Sequence, residues 1–145
     1  MIRGTQGKTE RWLFSFVQKV FPNAESGRIM CLKNRVLELD IYVADLPLCI
    51  EYDGLHHRKR VKKDENKNYL LREEGIPLIR IREHGLPSIK AFGSSTIVHY
   101  PFQPGDLHRC LLDLRSEILT RYALNGEQQA ELQAWGEDSG NTTIL

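Results

Sequence analysis

The stretch from Val36 to Asp53 constrains the fold more than any other part of the chain. Leu37, Leu39, Ile41 and Val43 alternate with Val36, Glu38, Asp40 and Tyr42; then Leu48, Ile50 and Tyr52 alternate with Cys49, Glu51 and Asp53. A period of two is that of a β-strand, and Ala44-Asp45-Leu46-Pro47 between the runs has turn chemistry, so the segment predicts an antiparallel hairpin. A tight turn at Asp45-Leu46 sets the register. It places Leu39 opposite Tyr52, Ile41 opposite Ile50 and Val43 opposite Leu48, and on the other face Asp40 opposite Glu51 and Glu38 opposite Asp53. One face is then core, and the other collects four carboxylates.

Like charges directly opposed destabilise a sheet, and a partly buried carboxylate without a partner either costs stability or takes up a proton. Two kinds of partner relieve this. One is a set of Lys or Arg side chains interleaved on a solvated face; the other is a hard divalent cation held by one or two carboxylates, waters and phosphate oxygens. The residues that follow favour the cation. Gly54, His56 and His57 are succeeded by Arg58, Lys59, Arg60, Lys62 and Lys63. Histidine serves as a general base near neutral pH, and a basic run beside acids suits a substrate with a phosphate backbone.

The rest of the chain supplies the frame. Trp12, Leu13, Phe16, Val17 and Val20 fall at helical spacing, predicting a helix from Thr9 to Val20 with Thr9 as N-cap and Pro22 just beyond it. A strand is expected from Arg28 to Leu32, with Lys33-Asn34 as a polar turn. A helix from Val61 to Glu74 ends at Gly75 and Pro77, and its apolar face is thin, carried by Val61, Tyr69, Leu70 and Leu71. Pro77 to Arg82 reads as a strand, and the helix before it implies a parallel crossover. Thr96 to Tyr100 reads as another strand. Leu107 to Tyr122 reads as a helix with Leu107, Cys110, Leu111, Leu114 and Ile118 on its inner side. The class is α/β, a mixed sheet flanked by helices.

The 145 residues suit one domain, read as residues 1–125, followed over 126–145 by a short helix to about Trp135 and a polar tail, GEDSGNTTIL, expected to be mobile. Hydrophobic residues at 41% and charged residues at 27% exclude a disordered chain. The net charge of +1 does not by itself mark a nucleic-acid binder, so that inference rests on the local basic run. Cys31, Cys49 and Cys110 are scattered singly, against a zinc knuckle or a disulfide framework and in favour of reduced thiols in the cytoplasm. No apolar run reaches the roughly 18 residues of a membrane span, and MIRGTQGKTERW lacks the apolar core of a signal peptide, so neither membrane nor export is expected.

The string ELDIY, LCIEYDG, the histidines and KKDENKNYLL followed by EGIPLIRIRE resembles the PD-(D/E)XK nuclease superfamily, in particular its very-short-patch-repair endonuclease-like branch. That branch includes homing-endonuclease relatives with an EDxHD signature. The resemblance runs from about Thr9 to Leu86 and is most specific between Glu38 and Glu83. It implies a restriction-endonuclease-like core and Mg²⁺-dependent cleavage of DNA, with Mn²⁺ able to substitute. Asp40 matches the metal-binding aspartate and Glu51 the acid of the second strand. Asp53 stands where the superfamily most often has lysine, and the resemblance makes it a third metal ligand, direct or through water. His57, or less favourably His56, matches a histidine that helps activate water. Glu10 matches a helical acid of the branch and reads equally well as a first-turn acid facing the helix dipole.

Other residues stay open between two roles. Asp64 either orients His57 or serves the helix start; Arg80 and Arg82 either contact phosphates or balance the acids; Trp12 reads as core. His84, His99 and His108 receive no role. Arg58, Lys59, Arg60, Lys62 and Lys63 are the expected DNA contacts. The competing class is a nuclease-like fold that binds DNA or an assembly partner without cutting. A third reading is the catalytic domain of a larger machine, with targeting supplied by a partner, by a homodimer formed through the Leu107 to Tyr122 helix, or by DNA structure. The biological duty, whether repair, homing, restriction or defence, is left open.

Overall fold

The alternating segment folds as the hairpin its pattern predicts, in a computed structural model that describes residues 7–138. Its strands, β2 (Arg35–Val43) and β3 (Leu48–Asp53), pair antiparallel through Val43↔Leu48, Tyr42↔Cys49 and Ile41↔Ile50. β1 (Glu25–Leu32) pairs antiparallel with β2 across a two-residue turn at Lys33 (φ 48) and Asn34 (φ 63). Positive φ at both turn positions gives the twist that tight hairpins need. β1 starts at Glu25, ahead of the Arg28 expected, because Gly27 accepts φ 69 and lets pairing continue to Tyr42.

From β3 the chain passes through a 3₁₀ turn (Leu55–Lys59) and α2 (Val61–Glu73) into β4 (Leu78–Glu83), which lies parallel to β3. Gly75 (φ 71) follows α2 as the left-handed residue that stops the helix. β5 (Ser95–His99) adds in parallel, giving a mixed sheet of order β1-β2-β3-β4-β5. The predicted crossover and the α/β class are therefore observed.

α1 (Lys8–Val20), α3 (Asp106–Arg121) and α4 (Gly126–Asp138) share one core with Ile41, Val43, Leu48, Ile50, Ile79, Ile81 and Ile97 of the sheet. A smaller cluster joins Leu70 and Leu71 of α2 to Leu32, Leu39, Cys49 and Leu78. α2 thus covers the other face. Leu39 and Ile41 belong to different clusters, so the single apolar face expected along β2 is divided at Asp40, opposite Gly27. Thr9 lies inside α1, with Gly7 at the cap position. α4 runs past Trp135 to Asp138, and both Leu132 and Trp135 are buried, the Trp135 Nε1–H donating to the Phe16 carbonyl at 3.2 Å. The C-terminal helix is thus packed into the same core as residues before 126, and the tail beyond Asp138 lies outside the described residues. No helix among them is long and apolar enough to cross a membrane.

Candidate functional site

The ladder between β2 and β3 stops at Ile41↔Ile50, one residue short of the acids. Beyond it, the Asp40 N–H donates to Glu51 Oε2 at 2.7 Å and the Tyr52 N–H donates to Asp40 Oδ2 at 3.0 Å. Each carboxylate therefore takes a backbone donor of the opposite strand in place of a carbonyl. Opposed negative charges favour this opening, because each gains an N–H while the strands part. Asp40 and Glu51 come together as expected. Glu38 and Asp53 do not: the sheet register matches Glu38 with Ile29 of β1 and Asp53 with Arg82 of β4.

The carboxylate face is only partly solvated: Glu38 and Asp40 are half-buried, and Glu51 and Asp53 are buried. Glu51 is 2% exposed. Lys67 of α2 donates from Nζ to Glu51 Oε1 at 2.6 Å and to the Glu38 carbonyl at 2.5 Å. Burial pushes the Glu51 carboxyl up, but the Lys67 ammonium and the Arg80 guanidinium, with hydrogen bonds from Lys67 and the Asp40 amide, hold it below its ordinary value. Burial likewise opposes the charge on Lys67, and Glu51, Cys49 and Asp40 more than reverse this, raising it. The Cys49 thiol, pushed well up by burial, stays protonated and lies 3.5 Å from Glu51 Oε2 as a weak donor.

Asp53, two residues on, has a different environment. Arg80 Nη1 donates to both of its oxygens at 2.8 and 3.0 Å, and Arg82 Nη1 donates to Oδ2 at 2.7 Å. Arg80 is held in turn by Asn68 Oδ1 at 2.8 Å and the Asp64 carbonyl at 3.2 Å. Of the two roles open for Arg80 and Arg82, balancing the acids is the one seen. Asp53 is thus a fully buried partner of two arginines, apart from the Asp40 and Glu51 pair with which the sequence grouped it.

His57 is buried where the 3₁₀ turn passes over this layer. Its Nδ1 lies 2.8 Å from Asp64 Oδ2 and 3.5 Å from Asp53 Oδ1. A proton on Nδ1, donated to Asp64, leaves Nε2 as the basic nitrogen. Burial raises the Asp64 carboxyl, but the His57 hydrogen bond and the Arg80 charge bring it below its ordinary value. His56 is exposed, and burial of its ring together with the charges of His57 and Arg60 lowers its pKa. Asp53, His57 and Asp64 bring ligand-type atoms within 4.8 Å of one another. A cation there would lie beside Arg80 and Arg82, which already balance the two carboxylates. We therefore read this group as a scaffold that orients His57.

A cavity of about 800 Å³ opens over Asp40 and Glu51, and Glu10, Glu38, His56, His57, Asp64 and Lys67 line it too. Glu10 is brought in by the first turn of α1. Of the basic run, Arg60 and Lys63 line the cavity, while Arg58, Lys59 and Lys62 are exposed on the adjoining turn and helix start. Tyr52 and Glu83 complete one wall, with the Tyr52 hydroxyl 3.1 Å from Glu83 Oε1 and 2.8 Å from Nδ1 of the buried His99. Trp12, expected as core, is half-buried at the rim of the core, edge-on against Phe16 at 4.8 Å.

Lys67 is the site residue that sequence reasoning missed, and Asn68 is its neighbour in the same omission. The signal was present: counting back from Leu71 by four, three and seven residues reaches Lys67, Asn68 and Asp64, one helical face. The thin apolar face of α2 is explained by the same count, since its inner surface meets charged groups. Compared with known proteins, the chain matches no family model and no curated protein.

Proposed function

We propose that this protein is a divalent-cation-dependent endonuclease that hydrolyses DNA phosphodiester bonds, built on a restriction-endonuclease-like core. The observation that carries the reading is the interlock of Asp40 and Glu51 in the wall of a cavity that also receives Glu10 and an Asp64-oriented His57. The donor set suits Mg²⁺, with Mn²⁺ in its place: two hard carboxylates leave the remaining positions to waters and phosphate oxygens. When bound there, the cation supplies polarisation of a phosphoryl oxygen and acidifies a coordinated water. His57 accepts the proton of the attacking water at Nε2, with Asp64 holding the ring. Arg60 and Lys63 inside the cavity, with Arg58, Lys59 and Lys62 beside it, hold the phosphate backbone. Asp53 serves the site indirectly, by fixing Arg80 and Arg82 beneath His57. The substrate is intracellular DNA.

Cleavage of plasmid, mismatched and branched DNA, titrated with Mg²⁺, tests this reading. Wild type is expected to cut with Mg²⁺ and to stop in EDTA. Asp40→Asn should abolish cutting with melting unchanged. His57→Asn, which keeps a donor toward Asp64, should lose about a hundredfold or more in rate. Cutting that persists in EDTA or in Asp40→Asn would sink the assignment, whereas salt-sensitive binding without cutting would support the binding-module class.

A further inference from the structure

We infer that Lys67 is an internal competitor of the divalent cation at Glu51: it holds the carboxylate pair in register and yields Oε1 when the ion enters. The inference rests on Asp40 and Glu51 being the cation ligands. Both Glu51 oxygens are engaged, Oε2 by the Asp40 N–H at 2.7 Å and Oε1 by Lys67 Nζ at 2.6 Å. A cation reaches this carboxylate by taking one of the two. The backbone donor is fixed in β2, which pairs with β1 on both sides of Asp40, at Leu39 and at Ile41. The ammonium sits on a flexible four-carbon stem, and it is a like charge to the ion. Arg80 cannot yield in its place, because Asp53 and Asn68 hold both ends of its guanidinium.

Lys67 does more than neutralise. Its second bond, 2.5 Å to the Glu38 carbonyl, ties β2 to β3 where the ladder has stopped. It is a positioning residue for the pair: it keeps Glu51 aimed before a cation arrives, and the ion replaces it with a stronger positive charge at the same oxygen.

The test measures Mn²⁺ binding by electron paramagnetic resonance on the full chain, and lysine acylation mapped by mass spectrometry with and without Mg²⁺. Lys67→Met is expected to bind Mn²⁺ about tenfold tighter than wild type or more, from removal of a unit charge a few ångströms away, while Lys67→Arg binds no tighter than wild type. In wild type, Mg²⁺ should raise acylation of Lys67 several-fold and leave that of exposed Lys59 unchanged, a readout that stands even if Lys67→Met fails to fold. Equal or weaker Mn²⁺ binding by folded Lys67→Met, no binding by either protein, or unchanged Lys67 acylation overturns the inference. Mn²⁺ binding with these Lys67 effects but no cutting of nucleic acid upholds it and removes the nuclease reading; Mg²⁺-dependent cutting without them does the reverse.

Discussion

Glu51 and Asp53 occupy one face of one strand, yet their partners give them different work. Asp53 is enclosed by Arg80 and Arg82, and breaking a buried pair by deleting one member leaves an uncompensated charge. Arg80→Met should therefore lower stability by about 3–5 kcal/mol in urea unfolding, with the loss visible with or without Mg²⁺. A change below about 1 kcal/mol would mean that Asp53 is not dependent on it. Glu51→Ala should be destabilising for the mirror reason, stranding Lys67, so Glu51→Gln is the cleaner probe of activity. The acids were legible in the sequence because their alternation is local. Their partners were less so: Arg80 and Arg82 lie on a neighbouring strand and Lys67 on a helix, and which cation meets which acid is a property of the crossover.

At the scale of elements, hairpin and crossover followed from periodicity and from the turn residues Asn34 and Gly75. The division of β2 at Asp40 did not, because alternation reports faces of a flat strand and this one changes neighbours where the ladder ends. The inner face of α2 was hidden for a related reason: amphipathic reasoning looks for apolar residues, and here the helix covers charges. α4 shows the reverse case, with few apolar residues, of which Leu132 and Trp135 enter the core. Trp135 is 1% exposed between α1 and the α3 side of the core. Trp135→Ala is expected to cost about 3–5 kcal/mol, and a chain ending at Asn125 should melt far lower than the full chain. A truncated chain with an unchanged melting temperature would show that the core closes without α4.

Over the whole molecule, charge sets the conditions of use. Glu51 and Asp64 have lowered pKa values in the fold, so below about pH 4 the unfolded chain takes up their protons first and stability falls with pH. His99 is lowered by burial, so its share of the loss begins earlier, as pH drops below about 6.5. Lys67 is raised, so its contribution is complete below about pH 10.5 and fades above that. Melting without divalent cations should trace a dome across this range; stability that rose from pH 7 to pH 4 would contradict it. Binding to DNA should weaken steeply with salt if the run from Arg58 to Lys63 carries it. Cys110, Leu111, Leu114 and Ile118 of α3 are buried in the domain while Leu119 is exposed, and light scattering would settle whether copies associate through this helix. The crossed bonds between Asp40 and Glu51 also bear on inheritance. Each acid satisfies a peptide group of the opposite strand, so neither position drifts alone to a side chain without an acceptor: such a change leaves a stranded donor that the other cannot repair. The pair should behave as a single heritable character, and a double-mutant cycle across it should show coupling of about 0.5–3 kcal/mol.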